Sequence, residues 1–254
     1  MSESEPIPFS RLLTRGQRFR YRAIPAPLYR SLRQRRMRRR GESELELLPY
    51  LVDPARNAVD VGANKGTYSF ELARLCPRVD SYEPNPAMRF FLTRLAPANV
   101  VVHDAAVSDR AGTADLGVPI RGQRHSNNIG TLDVGALEGE FTTVSVRTVR
   151  LGDEALENVG FIKIDVEGLE DQVLAGAEPL LARDRPVLLV EMLDAFAGEG
   201  PPPAMARLQA LDYAVMAVVE GRLVTWSALA RKLGPAKGDD GAGQVPRNFI
   251  FFPR

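Results

Sequence analysis

Three short stretches carry residue types that do chemistry. In VDVGANKG (59–66), Asp60 stands two positions before Gly62 and six before Gly66. In YEPNP (82–86) a single carboxylate, Glu83, precedes an Asn–Pro pair. In KIDVEG (163–168), Lys163, Asp165 and Glu167 alternate, which puts them on or close to one face of an extended segment. Glu191 in PVLLVEM (186–192) and His125 in the polar run RGQRHSNNIGTLD (121–133) complete the set. A carboxylate or imidazole within ~3 Å of an alcohol can accept its proton as a new bond forms at oxygen. Asp165, Glu167, Glu191 and His125 are therefore the candidate bases, in that order. Each also has a plainer reading. Asp165 and Glu167 suit a helix N-terminus, and a loop histidine is commonly just solvated.

The glycine loop narrows the ligand. A phosphate-binding P-loop needs one more residue between its glycines and a lysine after the second, whereas Lys65 precedes Gly66. A dinucleotide loop needs a central glycine where this chain has Asn64. What remains is an acidic–x–Gly–x–x–x–Gly turn, which suits S-adenosylmethionine (SAM). That ligand has no phosphate and needs only a tight bend with helix N–H groups for its carboxylate. Glu83 lies 21 residues after Gly62, where a carboxylate can accept both hydrogen bonds of a ribose diol. NAD would use the same carboxylate, so Glu83 alone does not choose between the two.

These residues need a scaffold. NAVDV (57–61), RVDSYE (78–83) and NVVVHDAAV (99–107) read as strands, separated by helices at TYSFELARL (67–75) and from Pro86 in NPAMRFFLTRLA (85–96). The βαβαβ order predicts a parallel sheet with helices on both faces. SELELLPYLVD (43–53) reads as a preceding helix capped by Ser43. GTADLGV (112–118) and FTTVSVRTV (141–149) read as strands around the polar run, making 111–150 a polar, substrate-facing insert. FIKIDV (161–166), the helix LEDQVLAGAEPLLA (169–182), PVLLVEM, YAVMAVVEGRLV (213–224) and a final strand NFIFF (248–252) follow, with a Gly-rich loop at 234–246.

Composition bounds the rest. The chain has 254 residues and formal net charge +1. Residues 1–40 hold twelve arginines against Glu3 and Glu5, or +10, leaving +1 − 10 = −9 for the remainder. Residues 1–45 are accordingly read as an Arg-rich helical extension and 46–254 as the catalytic domain. Such an arm either packs on the domain as a solvated helix or contacts an anionic surface. Nucleic acid is disfavoured because no aromatic platform accompanies the arginines. One cysteine, Cys76, and two histidines exclude an internal disulfide and a Cys/His zinc site. Converging carboxylates would suit Mg²⁺, but the spacing requires no ion and none is expected. No run is apolar enough for a membrane span or signal peptide, so the expected location is cytoplasmic.

Taken together, VDVGANKGTYSFELA, YEPNP, HDAAVSDRAGTADL, FIKIDVEGLEDQVLAGAEPLL, PVLLVEM and NFIFF resemble the FkbM-type methyltransferases, over roughly residues 57–254. The resemblance implies a Rossmann-like α/β fold of class I: a seven-stranded, mostly parallel sheet whose last strand is antiparallel. It implies SAM as cofactor and O-methylation of a hydroxyl on a sugar, polyketide or other natural product, a small-molecule or glycan acceptor. It would place Asp60, Gly62, Ala63, Asn64 and Gly66 at the methionine end of SAM and Glu83 at the ribose. Asp104 and Ala105 would lie at the adenine edge, and Asp165 near sulfonium and acceptor. The competing readings are an RNA or protein methyltransferase, a non-catalytic SAM-fold module and an NAD oxidoreductase.

Overall fold

The computed structural model describes residues 25–38, 44–121, 124–125, 131–133, 135, 139–192, 200–219, 222–233 and 246–254. Ser43, most of the arm and nearly all of the Gly-rich stretch 234–246 lie outside the described residues. Alternation of apolar residues in short runs produces the main sheet. Its strands are β1 (Asn57–Val61), β2 (Val79–Tyr82), β3 (Val100–His103), β8 (Val159–Ile164), β9 (Val187–Glu191), β10 (Tyr213–Val219), β11 (Arg222–Thr225) and β12 (Asn248–Pro253). They lie in the order β11-β10-β12-β9-β8-β1-β2-β3. β1 is parallel to β2 and β8, β2 to β3, and β8 to β9. The final strand β12 runs antiparallel to both β9 and β10, as the resemblance implies. The sheet has eight strands rather than seven, because the run 213–224 folds back on itself and adds β11 as an edge strand.

The strands are buried on both faces. Val59, Val61, Ile162, Ile164, Leu188 and Val190 pack with helices α5 (Glu170–Asp184) and α6 (Pro203–Ala210). The alternate residues Ala58, Phe161 and Leu189 pack with Leu45, Leu48 and Leu51 of α2 (Glu44–Leu51) and Leu72 of α3 (Thr67–Leu72). Period-two alternation thus feeds two helical layers. Each fully buried leucine contributes about 1.5–3 kcal/mol to holding them. α4 (Pro86–Leu95) starts where the Asn–Pro pair predicts: Pro86 occupies the first turn and the Asn85 side chain accepts from Ala87 N–H at 3.0 Å.

The run 99–107 is not one strand. It bends at Asp104–Ala105, so β3 stays in the main sheet while β4 (Ala106–Val107) leaves for a second one. That sheet has the order β4-β7-β5-β6, built on the pairing of β5 (Gly112–Arg121) with β7 (Phe141–Val149) and edged by β6 (Arg124–His125). α1 (Ala26–Arg38), the last part of the arm, packs on the domain. Ala26 and Tyr29 lie against Ala63, Phe70, Leu92 and Leu95. Arg30 donates to the Leu95 carbonyl at 2.6 Å, and Arg33 and Gln34 donate to the Thr67 hydroxyl and carbonyl at 2.9 and 2.8 Å. α7 (Trp226–Leu233) closes the far edge, with Leu229 in the core.

Candidate functional site

At the C-terminal end of β1 the chain turns through a loop fixed by backbone bonds. Gly62 and Ala63 N–H both donate to the Tyr82 carbonyl, at 3.1 and 3.0 Å, and Asp165 N–H donates to Val61 O at 3.0 Å. Gly62 has φ +78°, and a Cβ there would stand 1.8 Å from the Asp165 carbonyl oxygen. Only glycine permits both that torsion and that approach. The result is that the loop after β1 and the loop after β8 touch backbone to backbone. Gly66, with φ +83°, does a different job: a Cβ there would strike Phe70 and Leu92 within 2.7 Å.

Glu83 sits one residue past β2, 5% exposed. Its Oε2 accepts from Asn64 N–H at 2.6 Å and its Oε1 from Asn85 N–H at 2.8 Å. A carboxylate offers about four acceptor positions, so each oxygen keeps one to spare. Burial pushes its pKa up to about 7, against the pull of the two N–H groups and Arg89. Asn64 reaches Glu83 by adopting φ +50°, a left-handed conformation uncommon outside glycine.

The opposite side is an acidic rim. β8 ends at Ile164, so Lys163, Asp165 and Glu167 do not share a face as alternation predicts. Lys163 is inside the sheet, 1% exposed, donating to Ile164 O at 3.2 Å and Asn248 Oδ1 at 3.3 Å with Tyr68's ring centroid 5.2 Å away. Asp165 and Glu167 both stand at the cleft, Glu167 with a left-handed backbone at φ +53°. Asp165 and Glu191 stand together on the cleft wall, close enough for the charge of one to act on the other. Burial, then the Asp165 charge, pushes Glu191 up to about 7, while buried Lys163 pulls the other way. Glu167 is raised too, by partial burial and by Asp165 and Glu170.

One open cleft joins these parts. Gly62, Asn64, Glu83, Ala105, Asp165, Glu167 and Glu191 line it, with four carboxyl groups and no lysine or arginine among the described lining residues. Asp60, Ala63, Gly66 and Asp104 do not line it. The Ser69 hydroxyl donates to Asp60, and Ser81 donates to Ser69 at 3.0 Å, so Asp60 ties β1 to α3. Its pKa rises to about 6, chiefly through burial. Asp104 is 65% exposed and ion-paired to Arg89. His125 lies in β6, where only its backbone is described. His103 bonds Asp80 at 2.8 Å and stacks on Tyr82, a structural role. Residues the motifs did not indicate complete the walls: Asn85 and Met88 at the start of α4, Val107 of β4, Leu116 of β5, and Leu132. Among the described residues no three acidic, histidine or cysteine side chains are grouped to hold a metal ion, and no helix is long and apolar enough to cross a membrane.

Comparison with known proteins identifies the family. Residues 60–215 match the model of the FkbM methyltransferase domain. The sequence has no match among curated proteins. Among solved structures, the FkbM methyltransferase of Methylobacillus flagellatus KT is 15% identical with a TM-score of 0.49 over 78% of this chain, which spans only 44% of that one. A precorrin-6y C5,15-methyltransferase of Geobacter metallireducens GS-15 is 14% identical, TM-score 0.43, over 83% of this chain and 86% of its own. An rRNA methylase of Streptococcus thermophilus is 9% identical, TM-score 0.43, over 83% and 93%.

Proposed function

Since this chain belongs to the FkbM methyltransferase family, we propose that it moves the methyl group of SAM to a hydroxyl of a sugar, polyketide or other natural product. The observation that carries this reading is the acidity of the cleft: four carboxyl groups line it, with no lysine or arginine among its described lining residues. Such a wall attracts a sulfonium and repels the pyrophosphate of NAD or ATP. It equally disfavours a phosphate-bearing acceptor, which favours a neutral alcohol.

The residues present fit SAM. Glu83 would take the ribose hydroxyls on its spare acceptor positions, and the Gly62–Asn64 turn would face the methionine end. Bound SAM supplies an electrophilic methyl group, so the protein's share is positioning and proton removal. Asp165 accepts the alcohol proton as the C–O bond forms, when that oxygen becomes acidic. Glu191, whose proton affinity burial and the Asp165 charge raise, is Asp165's neighbour on the cleft wall. Lys163, fixed beneath them, limits the cost of gathering acids in one place. A lone, buried Cys76 thiol suits a reducing compartment, which supports a cytoplasmic enzyme.

S-adenosylhomocysteine should raise the melting temperature while NAD and ATP do not. Glu83→Ala should weaken its binding by roughly 1–3 kcal/mol, since both ribose hydroxyls lose their partner. A panel of hydroxylated acceptors with methyl-labelled SAM then identifies the product. Calorimetry giving NAD binding and no S-adenosylhomocysteine binding sinks the reading.

A further inference from the structure

We infer that the outward face of α1 docks this protein on an anionic lipid surface. The helix APLYRSLRQRRMR contains five arginines and no acid. Its inward residues, Ala26, Tyr29, Arg30, Arg33 and Gln34, are committed to packing and hydrogen bonds with the domain. At about 100° per residue, Leu28, Ser31, Leu32, Arg35 and Arg36 fall on one contiguous arc facing away from it. All five are exposed, Leu28 at 53% and Leu32 at 51%.

Two leucines one turn apart, followed by two arginines on the same arc, form an apolar wedge with cations at its end. That pairing suits the boundary between acyl chains and anionic headgroups. The leucines enter the apolar layer there and the guanidinium groups meet lipid phosphates. The charge of the first 40 residues, +10, is complementary to such a surface. A polynucleotide would use the arginines but gains nothing from half-exposed leucines, and the arc carries no aromatic ring on which a base could stack. The contact is peripheral, since no described helix can span a bilayer. It does not depend on the methyltransferase assignment.

The test uses the full chain and phosphatidylcholine vesicles with or without phosphatidylglycerol. The wild type should co-sediment with the anionic vesicles only, and less so as salt rises from ~0.1 to ~0.5 M, where exposed charges are screened. Leu28→Ser with Leu32→Ser should lower partitioning by about tenfold or more, and Arg35→Glu with Arg36→Glu should abolish it. Both double variants should melt like the wild type and keep the S-adenosylhomocysteine thermal shift. A missing shift in every variant and the wild type indicts the methyltransferase reading and leaves this one standing. No binding to anionic vesicles overturns the inference, as does binding unchanged by the leucine pair. A single-stranded RNA bound equally by wild type and leucine variant, with vesicles ignored, overturns it in favour of nucleic acid.

Discussion

At the glycine end of the cleft, Glu83 is buried and each of its oxygens takes a backbone N–H. At the acidic rim, partial burial and the Asp165 charge raise the proton affinity of Glu167 and Glu191, so the charge of that wall changes as they titrate. The first arrangement is fixed by main chain and stays put whatever the pH does to neighbouring side chains. The second is soft, its charge tied to pH. A ligand that only has to be held is matched to the first, and an atom that has to lose a proton is matched to the second.

The largest expected effect tests the soft end. Asp165→Asn keeps shape and removes charge, and should lower turnover about 10²-fold or more, the usual range for an acid–base group. S-adenosylhomocysteine affinity should hardly change. Near wild-type turnover with a true acceptor would move the base to Glu167, Glu191 or His125. A sharp loss of S-adenosylhomocysteine affinity would mean Asp165 belongs to the held end, and the contrast would collapse.

Gly62→Ala tests the rigid end. The added methyl meets the Asp165 carbonyl in a left-handed backbone, so stability should fall by ~2–4 kcal/mol, with S-adenosylhomocysteine affinity reduced alongside. A melting curve like the wild type's would show that the two loops are less closely joined than the backbone geometry gives.

A smaller effect is read by pH, at both ends together. Glu83 and Glu191 titrate near 7 and Asp60 near 6, against ordinary values of 4.5 and 3.8. Each therefore keeps a proton in the fold over a window where the unfolded chain has lost it. The associated stability is fully present below ~4 and is lost as pH rises through 6 to 7. Asp184, held low by Arg183, and Asp80, held low by His103 and Arg78 despite its burial, act oppositely, but only below their ordinary value of 3.8. The protein without ligand should thus melt higher near pH 5 than near pH 8. Glu83→Gln should narrow that difference by on the order of 1–3 kcal/mol. An unchanged difference removes Glu83 as a cause. Asp104→Ala should change S-adenosylhomocysteine affinity by less than ~0.5 kcal/mol, as expected of an exposed ion pair. A tenfold loss would restore Asp104 to the cofactor's edge.

The sequence is most readable where local rules govern. Alternating apolar residues located β1, β2, β8 and β9, and the Asn–Pro pair located α4. Glu83 was legible because a strand end plus a fixed spacing places one carboxylate. Three things were not. Asp60 turns inward because Ser69 of α3 satisfies it, a partner set by packing. The run 99–107 divides because a second sheet competes for Ala106 and Val107, and period alone cannot show which sheet a strand joins. Leu116 and Leu132 line the cleft through the folding back of the insert, while nothing in their own neighbourhood separates them from core leucines.

The hydrogen bonds from Arg33 and Gln34 to Thr67 join α1 to the residue that follows Gly66. The helix that faces outward and the helix that starts just after the glycine turn therefore share one mechanical link, and thermodynamic linkage makes any coupling through it symmetrical. Whatever factor a lipid surface applies to the affinity for S-adenosylhomocysteine, S-adenosylhomocysteine must apply to the affinity for that surface. Two titrations, each done with and without the other ligand, then measure a single number twice.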